Sequence, residues 1–289
     1  MKCLNLLMFI ALAAGLPMAS HGQLAVVTNR EPQRIFFGHG INIPVVIHNA
    51  GSQSFNDEIR TRIFQTSSAV AVRLGEATWK QFQALPGQTV LESARLDFPP
   101  VKAETKFLVQ WLDNSNHVIG ETTVWVYPTN LLAELKVLAG DEPLGIFDPQ
   151  DQLKPLLKNL KVDFVNLENS NLENFSGKLA IIGPFQSKAQ MREGLANQIL
   201  ALAKKGAAIV WLQPPPEPSP RPSPNRWERE KLRPSFYSVP ENRIAVVIVQ
   251  PDLVADLADN PQAQLNLVYF SKLALHLQPP VLPDLLTQP

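Results

Sequence analysis

The chain carries a single cysteine in 289 residues, Cys3, and it lies ahead of an apolar run from Leu4 to Leu16. Lys2 makes a short basic start, and Ser20 and Gly22 supply small residues at the −3 and −1 positions of a cleavage site. This is the form of a secretory signal peptide over residues 1–22, with Gln23 as the new N-terminus. The apolar run is shorter than the roughly 20 residues that a spanning helix needs. Cleavage would remove the only thiol. The exported product would then have no disulfide, no thiol nucleophile, no thiolate metal site and no redox motif. Cys3 also precedes the apolar run instead of following it, which excludes a lipoprotein acylation site. Stability must come from burial, which a chain of this length can supply.

Charge of one sign is lacking too: 26 Lys and Arg balance 26 Asp and Glu. No basic excess is available for nucleic acid or anionic lipid, so no nucleic-acid partner is expected. No second apolar run is long enough to cross a membrane, so no span is expected after signal cleavage. The 14 glycines form no dinucleotide fingerprint and no P-loop, and neither G-x-S-x-G nor H-E-x-x-H occurs. No cofactor and no metal site are expected. What the sequence does have is 45% hydrophobic residues, enough for a substantial core, and 26 prolines.

The pattern changes near Pro128. Before it, Ile41, Ile43, Val45 and Ile47 alternate with other residues, and Asn49-Ala50-Gly51 makes a turn. Ile59, Thr61 and Ile63 alternate with charged neighbours, and Phe107, Val109 and Trp111 share one face. With Val70–Leu74, Thr89–Leu96 and Val118–Tyr127, this predicts an all-β sandwich of about seven strands over residues 23–128. After Pro128, strands at 144–147, 162–167, 179–182, 207–212 and 244–249 alternate with helices at 129–139, 149–160, 187–205, 253–257 and 264–277. The strands are apolar on both faces, which predicts a doubly wound α/β parallel sheet over residues 129–289. A proline-rich insertion at 213–224, with seven prolines between Pro214 and Pro224, should be an extended loop.

A strand such as Asn42–His48, a closing strand into Tyr127-Pro128, and an α/β unit ending in Gly206-Ala207-Ala208-Ile209-Val210-Trp211-Leu212 resemble modules of large secreted bacterial glycoside-hydrolase-like proteins. There an immunoglobulin-like module precedes a flavodoxin-like domain similar to class I glutamine amidotransferases. The resemblance implies an immunoglobulin-like sandwich followed by a flavodoxin-like domain. It does not bring the amidotransferase chemistry, because the mature chain has no cysteine for the nucleophile position.

Several residues are candidates for ligand contact. Asp148 follows the first α/β strand, where such sheets place ligands, but Asp148-Pro149 also reads as a helix cap. Gly183 and Ser187 bound a loop whose amides can hold an anion or a sugar oxygen, while Ser187-Lys188-Ala189-Gln190 also reads as a capping box. Trp227 and Tyr237, with Trp79 and Phe236, offer flat rings for a sugar face or ordinary packing under a long loop. His39, His48, His117 and His276 show no triad or ligand spacing, and no catalytic residue is marked. The sequence therefore favours an exported non-catalytic binding or scaffold protein, with a glycan or an envelope protein as partner. A carboxylate-dependent hydrolase using Asp148 and Glu168, and a structural partner that binds through the proline-rich loop, are the alternatives.

Overall fold

The computed structural model describes residues 24–27, 32–214, 235–239 and 244–276, with 235–239 and 244–245 described as backbone. The first part of the chain forms eight strands. They are β1 (Leu24–Val27), β2 (Gln33–Phe36), β3 (Gly38–Asn49), β4 (Phe55–Thr66), β5 (Ala71–Ala84), β6 (Thr89–Phe98), β7 (Thr105–Leu112) and β8 (Val118–Tyr127). One sheet has the order β1-β3-β6 and the other β2-β8-β7-β4-β5. All their pairings are antiparallel except β2 against β8, which is parallel.

The two sheets face each other over one core. Ile43, Ile47, Ala94 and Phe98 come from the first sheet, and Ile59, Phe107, Val109 and Trp111 from the second. Phe107, Val109 and Trp111 are fully buried, as their period-2 spacing predicts. Trp111 also satisfies its indole N–H, which donates to Thr122 Oγ1 at 2.9 Å. Asn49, the last residue of β3, is buried. Its amide donates to Gln53 O and Ala84 O, and its oxygen accepts from Gly51 N.

Strand β5 has two bulges. Its register against β4 skips Trp79 and then Leu74. Each bulge turns the following side chains to the other face. Phe82 and Ala84 face the core at one end, whereas the positions opposite buried Thr61 and core-facing Ile63 are Ala77 and Gly75. Glu76 is thereby turned outward, where Arg60, Arg62 and Arg73 contact it at 3.0, 2.9 and 2.5 Å.

The second part contains α1 (Glu134–Ala139), β9 (Leu144–Phe147), α2 (Lys154–Asn159), β10 (Phe164–Asn166), β11 (Leu179–Ile182), α3 (Leu195–Lys204), β12 (Ala208–Leu212), β13 (Ser235–Val239), β14 (Ile244–Val249) and α4 (Pro261–His276). The sheet order is β10-β9-β11-β12-β14-β13. The first five strands are parallel, and β13 is added antiparallel at the edge. Leu144, Ile146, Ile181, Val210 and Val247 point to one face, under α1, α2 and α4. Phe147, Ala180, Ile182, Ile209 and Val246 point to the other, under α3. Burial on both faces is why these strands read as unbroken apolar runs.

The structure departs from the sequence reading in several places, among them the helix expected at 253–257, which is a 3₁₀ turn over Pro251–Val254. There are eight strands in the first part, not seven, because β1 and β2 have four residues each and carry too little period to detect. The strand expected at Val70–Leu74 continues to Ala84, and its bulges break the alternation that would have revealed it. The helix expected from Pro149 starts only at Lys154, after a loop in which Asp151 takes φ +52. The helix expected from Ser187 is only a 3₁₀ turn over Lys188–Gln190, and α3 begins at Leu195 after Gly194 in a left-handed conformation, φ +74. Much of the proline-rich insertion lies outside the described residues.

Candidate functional site

In an open parallel sheet, ligands bind outside the carboxyl ends of the strands, where the strand order reverses. Here β9 is followed in the chain by β10 on one side and then by β11 on the other, so the reversal lies between β9 and β11. The residues leaving these ends are Asp148, Glu168 and Gly183.

Asp148 is fully buried. Its carboxylate accepts from the amides of Gln152 at 3.2 Å, Leu153 at 2.8 Å and Lys154 at 3.0 Å. These are the amides that lead into α2, which would otherwise lack acceptors. Asp148 thus anchors the helix from a distance of several residues and not as its adjacent cap. Its own N–H donates to Glu168 Oε1 at 3.0 Å, and Lys154 Nζ donates to the same oxygen at 2.8 Å. Lys154 also contacts Asp151 Oδ1 at 2.6 Å. Desolvation of this ammonium pulls its pKa down, but the hydrogen bonds to Asp151 and Glu168 outweigh it and hold the pKa above the usual lysine range.

The opening between β9 and β11 is filled by aromatic rings. Gly183 N donates to Phe147 O at 2.7 Å. Gly183 has φ +103, and a Cβ there would lie 2.8 Å from Leu212 O, so only glycine fits. The Gly183-Pro184 peptide is cis. Phe185 then turns back onto Phe147, with ring centroids 6.0 Å apart, and both rings are buried. The Arg192 guanidinium lies 5.2 Å from the centre of the Phe147 ring. Arg192 Nη1 donates to Glu168 O at 3.1 Å and Ser170 O at 2.9 Å, and Nη2 donates to Gln198 Oε1.

The candidate residues thus fall into separate groups. Asp148 and Gly183 meet at the strand reversal, and both are engaged in holding the backbone. The Ser187 hydroxyl makes no cap hydrogen bond. Gln190 instead accepts from Gln186 N at 2.7 Å, which is half of a capping box displaced by one residue. Trp79 does not join an aromatic platform, because it packs against Trp111 in the sandwich at 5.1 Å. Trp227 lies outside the described residues, and Tyr237 lies on β13, where the backbone alone is described.

Sequence reasoning missed Arg192, Lys154 and Phe185. Arg192 sits in a loop with no motif, and its role depends on a fold that brings residue 192 to residue 147. Two donors on the α3 face, Arg192 Nε and Trp211 Nε1, are buried without an acceptor among the described residues. Among the described residues no group of three His, Cys, Asp or Glu side chains is placed to hold a metal ion. No described helix is long and apolar enough to cross a membrane.

No family model matches the chain. No curated protein matches it. Solved structures show a weak likeness to parts of it. An alkylpurine DNA glycosylase AlkC from Pseudomonas fluorescens aligns with 36% of this chain at 14% identity and a TM-score of 0.28, which is 30% of the glycosylase. A β-glucosidase from Listeria innocua aligns with 37% at 12% identity and a TM-score of 0.27, and DesR, a β-glucosidase from Streptomyces venezuelae, with 37% at 12% and 0.24. The aligned parts are 16% and 15% of those two chains. Likeness at this level says nothing about activity.

Proposed function

We propose that this is an exported, non-catalytic binding or scaffold protein, whose first domain is an immunoglobulin-like spacer and whose second is a flavodoxin-like docking unit. The observation that carries this reading is the engagement of the strand-end carboxylates. The Asp148 carboxylate is committed to three backbone amides, and its neighbour Glu168 is tied to a lysine. Carboxylate hydrolysis of a glycoside needs one free acid and one free base facing a cleft. Here the reversal point is closed by Phe147 and Phe185.

The fold assignments rest on topology. Counted in order of appearance, the five parallel strands run 2-1-3-4-5, the flavodoxin-like winding. Two sheets with mostly antiparallel pairs over one core support the immunoglobulin-like reading. The proposed boundaries are a signal peptide over 1–22, a sandwich over 23–128 and an α/β domain over 129–289, with export to the periplasm or the medium. The partner is a glycan or an envelope protein.

A glycan array and calorimetric titration against envelope polysaccharides test this, alongside assays with chromogenic glycosides. Binding to one of these ligands, with no glycoside turnover, is the expected result. Turnover that disappears in Glu168→Gln would overturn the reading in favour of a hydrolase.

A further inference from the structure

The sandwich is open along one flank. Strands β5 and β6 are the free edges of their sheets and lie on that flank. At one end Lys80 of β5 bridges to Glu92 of β6 at 2.8 Å. Towards the other end the sheets leave a cavity of about 590 Å³, walled by Phe37, Ile63, Leu74, Leu96, Phe98 and Pro99. The inward positions of β5 there are Gly75 and Ala77, opposite Ile63 and Thr61, and they add almost no bulk. Both are exposed although they face the other sheet. A Cβ built on Gly75 would meet nothing within 4 Å. Interiors are normally close-packed, and an opening of this size lies within the range of ligand pockets.

The charged residues at the rim face away from this chamber. Arg95 and Asp97 alternate with core-facing Ala94, Leu96 and Phe98, which puts them on the outer face of β6. There Asp97 Oδ1 accepts from Gly40 N at 2.6 Å, and Arg95 extends beside Gly40, where a Cβ would lie 2.9 Å from Nη2. The Gly40 N–H, then His39, then Arg95 hold the Asp97 carboxyl below its usual range, so the acid and the guanidinium already answer each other. Glu76 lies on the outer face of its own sheet with its three arginines. Inside, the Thr61 hydroxyl donates to Ala77 O at 3.4 Å. What remains is apolar wall, and it continues outward over Leu74 and Val72, which are 44% and 53% exposed. The edges are also blunted against an added strand. β5 bulges at Leu74 beside the chamber, β6 runs into Pro99-Pro100 without N–H donors, and the Lys80–Glu92 bridge joins the two edges at the far end.

We propose that this cavity is a binding pocket for an uncharged aliphatic molecule, whose chain lies between Gly75 and Phe98 and runs out over Leu74 and Val72. A chamber with no charge directed into it selects no ion, and blunted edges favour a small molecule over a peptide strand. The pocket gives the sandwich a role besides spacing. It is independent of the docking role proposed for the α/β domain, because the two sites lie in different sheets and share no residue.

Calorimetric titration of the purified protein with hexan-1-ol, octan-1-ol and decan-1-ol tests the pocket. A single alcohol should bind per chain, about fourfold more tightly for each added methylene. Decanoate and decyltrimethylammonium, each below its micelle concentration, should bind no more tightly than decan-1-ol. Gly75→Leu fills the chamber and should weaken decan-1-ol by at least about tenfold without lowering the urea midpoint, since it removes room for two or so methylenes. Ala77→Leu serves as a second filler if the first perturbs folding. Leu91→Ser, on the outer face of β6, should leave binding unaltered. Absence of alcohol binding, fillers that leave it intact, or its loss in Leu91→Ser would each overturn the proposal. A preference of about tenfold for either ion over decan-1-ol, the mark of a charge-assisted contact, would overturn it as well. So would a peptide of alternating valine and threonine that binds the flank and displaces the alcohol.

Discussion

Replacing Asp148 with alanine separates a structural carboxylate from a ligand-binding one. The side chain is fully buried and accepts three amides. Gln152 is exposed, so its amide can turn to water, whereas Leu153 and Lys154 are buried and theirs cannot. Two stranded donors that had a charged acceptor cost about 1.5–2 kcal/mol each, giving about 3–4 kcal/mol for Asp148→Ala. Asp148→Asn keeps one acceptor oxygen and should cost about half of that. Amide exchange on the intact protein is the direct assay. Protection in β9, β11 and β12 should fall by about 100- to 1000-fold in the alanine variant, at 1.36 kcal/mol per decade. Protection in the sandwich strands should stay unaltered, because none of their residues touches Asp148. In urea the α/β transition should move down by about 1.5 M for a slope of about 2.5 kcal/mol/M. A variant with unchanged exchange and lost ligand binding would refute the argument and make Asp148 a contact residue.

Other perturbations follow from the same contacts. Trp111→Ala should destabilise the sandwich by about 3–5 kcal/mol in urea melts, since it empties a fully buried site beside Trp79 and Thr122. Gly183→Ala should destabilise the α/β domain by about 1–3 kcal/mol, read from its thermal midpoint, because alanine is strained at φ +103 and meets Leu212 O. The Arg62 hydrogen bond, with Arg73 and Arg60 beside it, holds the Glu76 carboxyl below the usual range. Its contribution is therefore present above the ordinary glutamate pKa and lost as pH falls through the lowered one, and Glu76→Gln should flatten that acid limb in urea midpoints measured from pH 6 to pH 2. Lys154 has a raised pKa, so its contribution is present below the ordinary lysine pKa and lost as pH rises beyond it. Lys154→Met should remove that alkaline step from the pH dependence of the thermal midpoint.

The strands of the α/β sheet were legible because two-face burial writes an unbroken apolar run. Leu144–Phe147, Leu179–Ile182 and Ile244–Val249 occupy the residues that the sequence marks. Helix starts were less legible. Asp148-Pro149 carries cap chemistry, yet its carboxylate reaches amides four to six residues on, and Ser187 has a cap spacing that its hydroxyl does not use. Local motifs state what a residue can bond to, and the tertiary fold decides which partner arrives. The surroundings of Asp148 show the same limit. Glu168 and Lys154 lie 14 residues apart in sequence and share a hydrogen bond only because β9 and β10 are neighbours. Arg192 carries no sequence signal because its ring contact and carbonyl acceptors are all remote.

The two bulges of β5 also govern how this hairpin tolerates changes in length. Leu74 and Trp79 are unpaired, so removing either leaves every other residue opposite its present partner on β4. Trp79 is held by its packing on Trp111, which leaves Leu74 as the position where a deletion is least damaging. A residue lost between the bulges would instead exchange the faces of Glu76 and its neighbours, burying a carboxylate and stripping three arginines of their counter-charge. Insertions and deletions among homologues of this strand should therefore collect at the bulges, and the four residues from Gly75 to Thr78 should keep their spacing even where their identities drift.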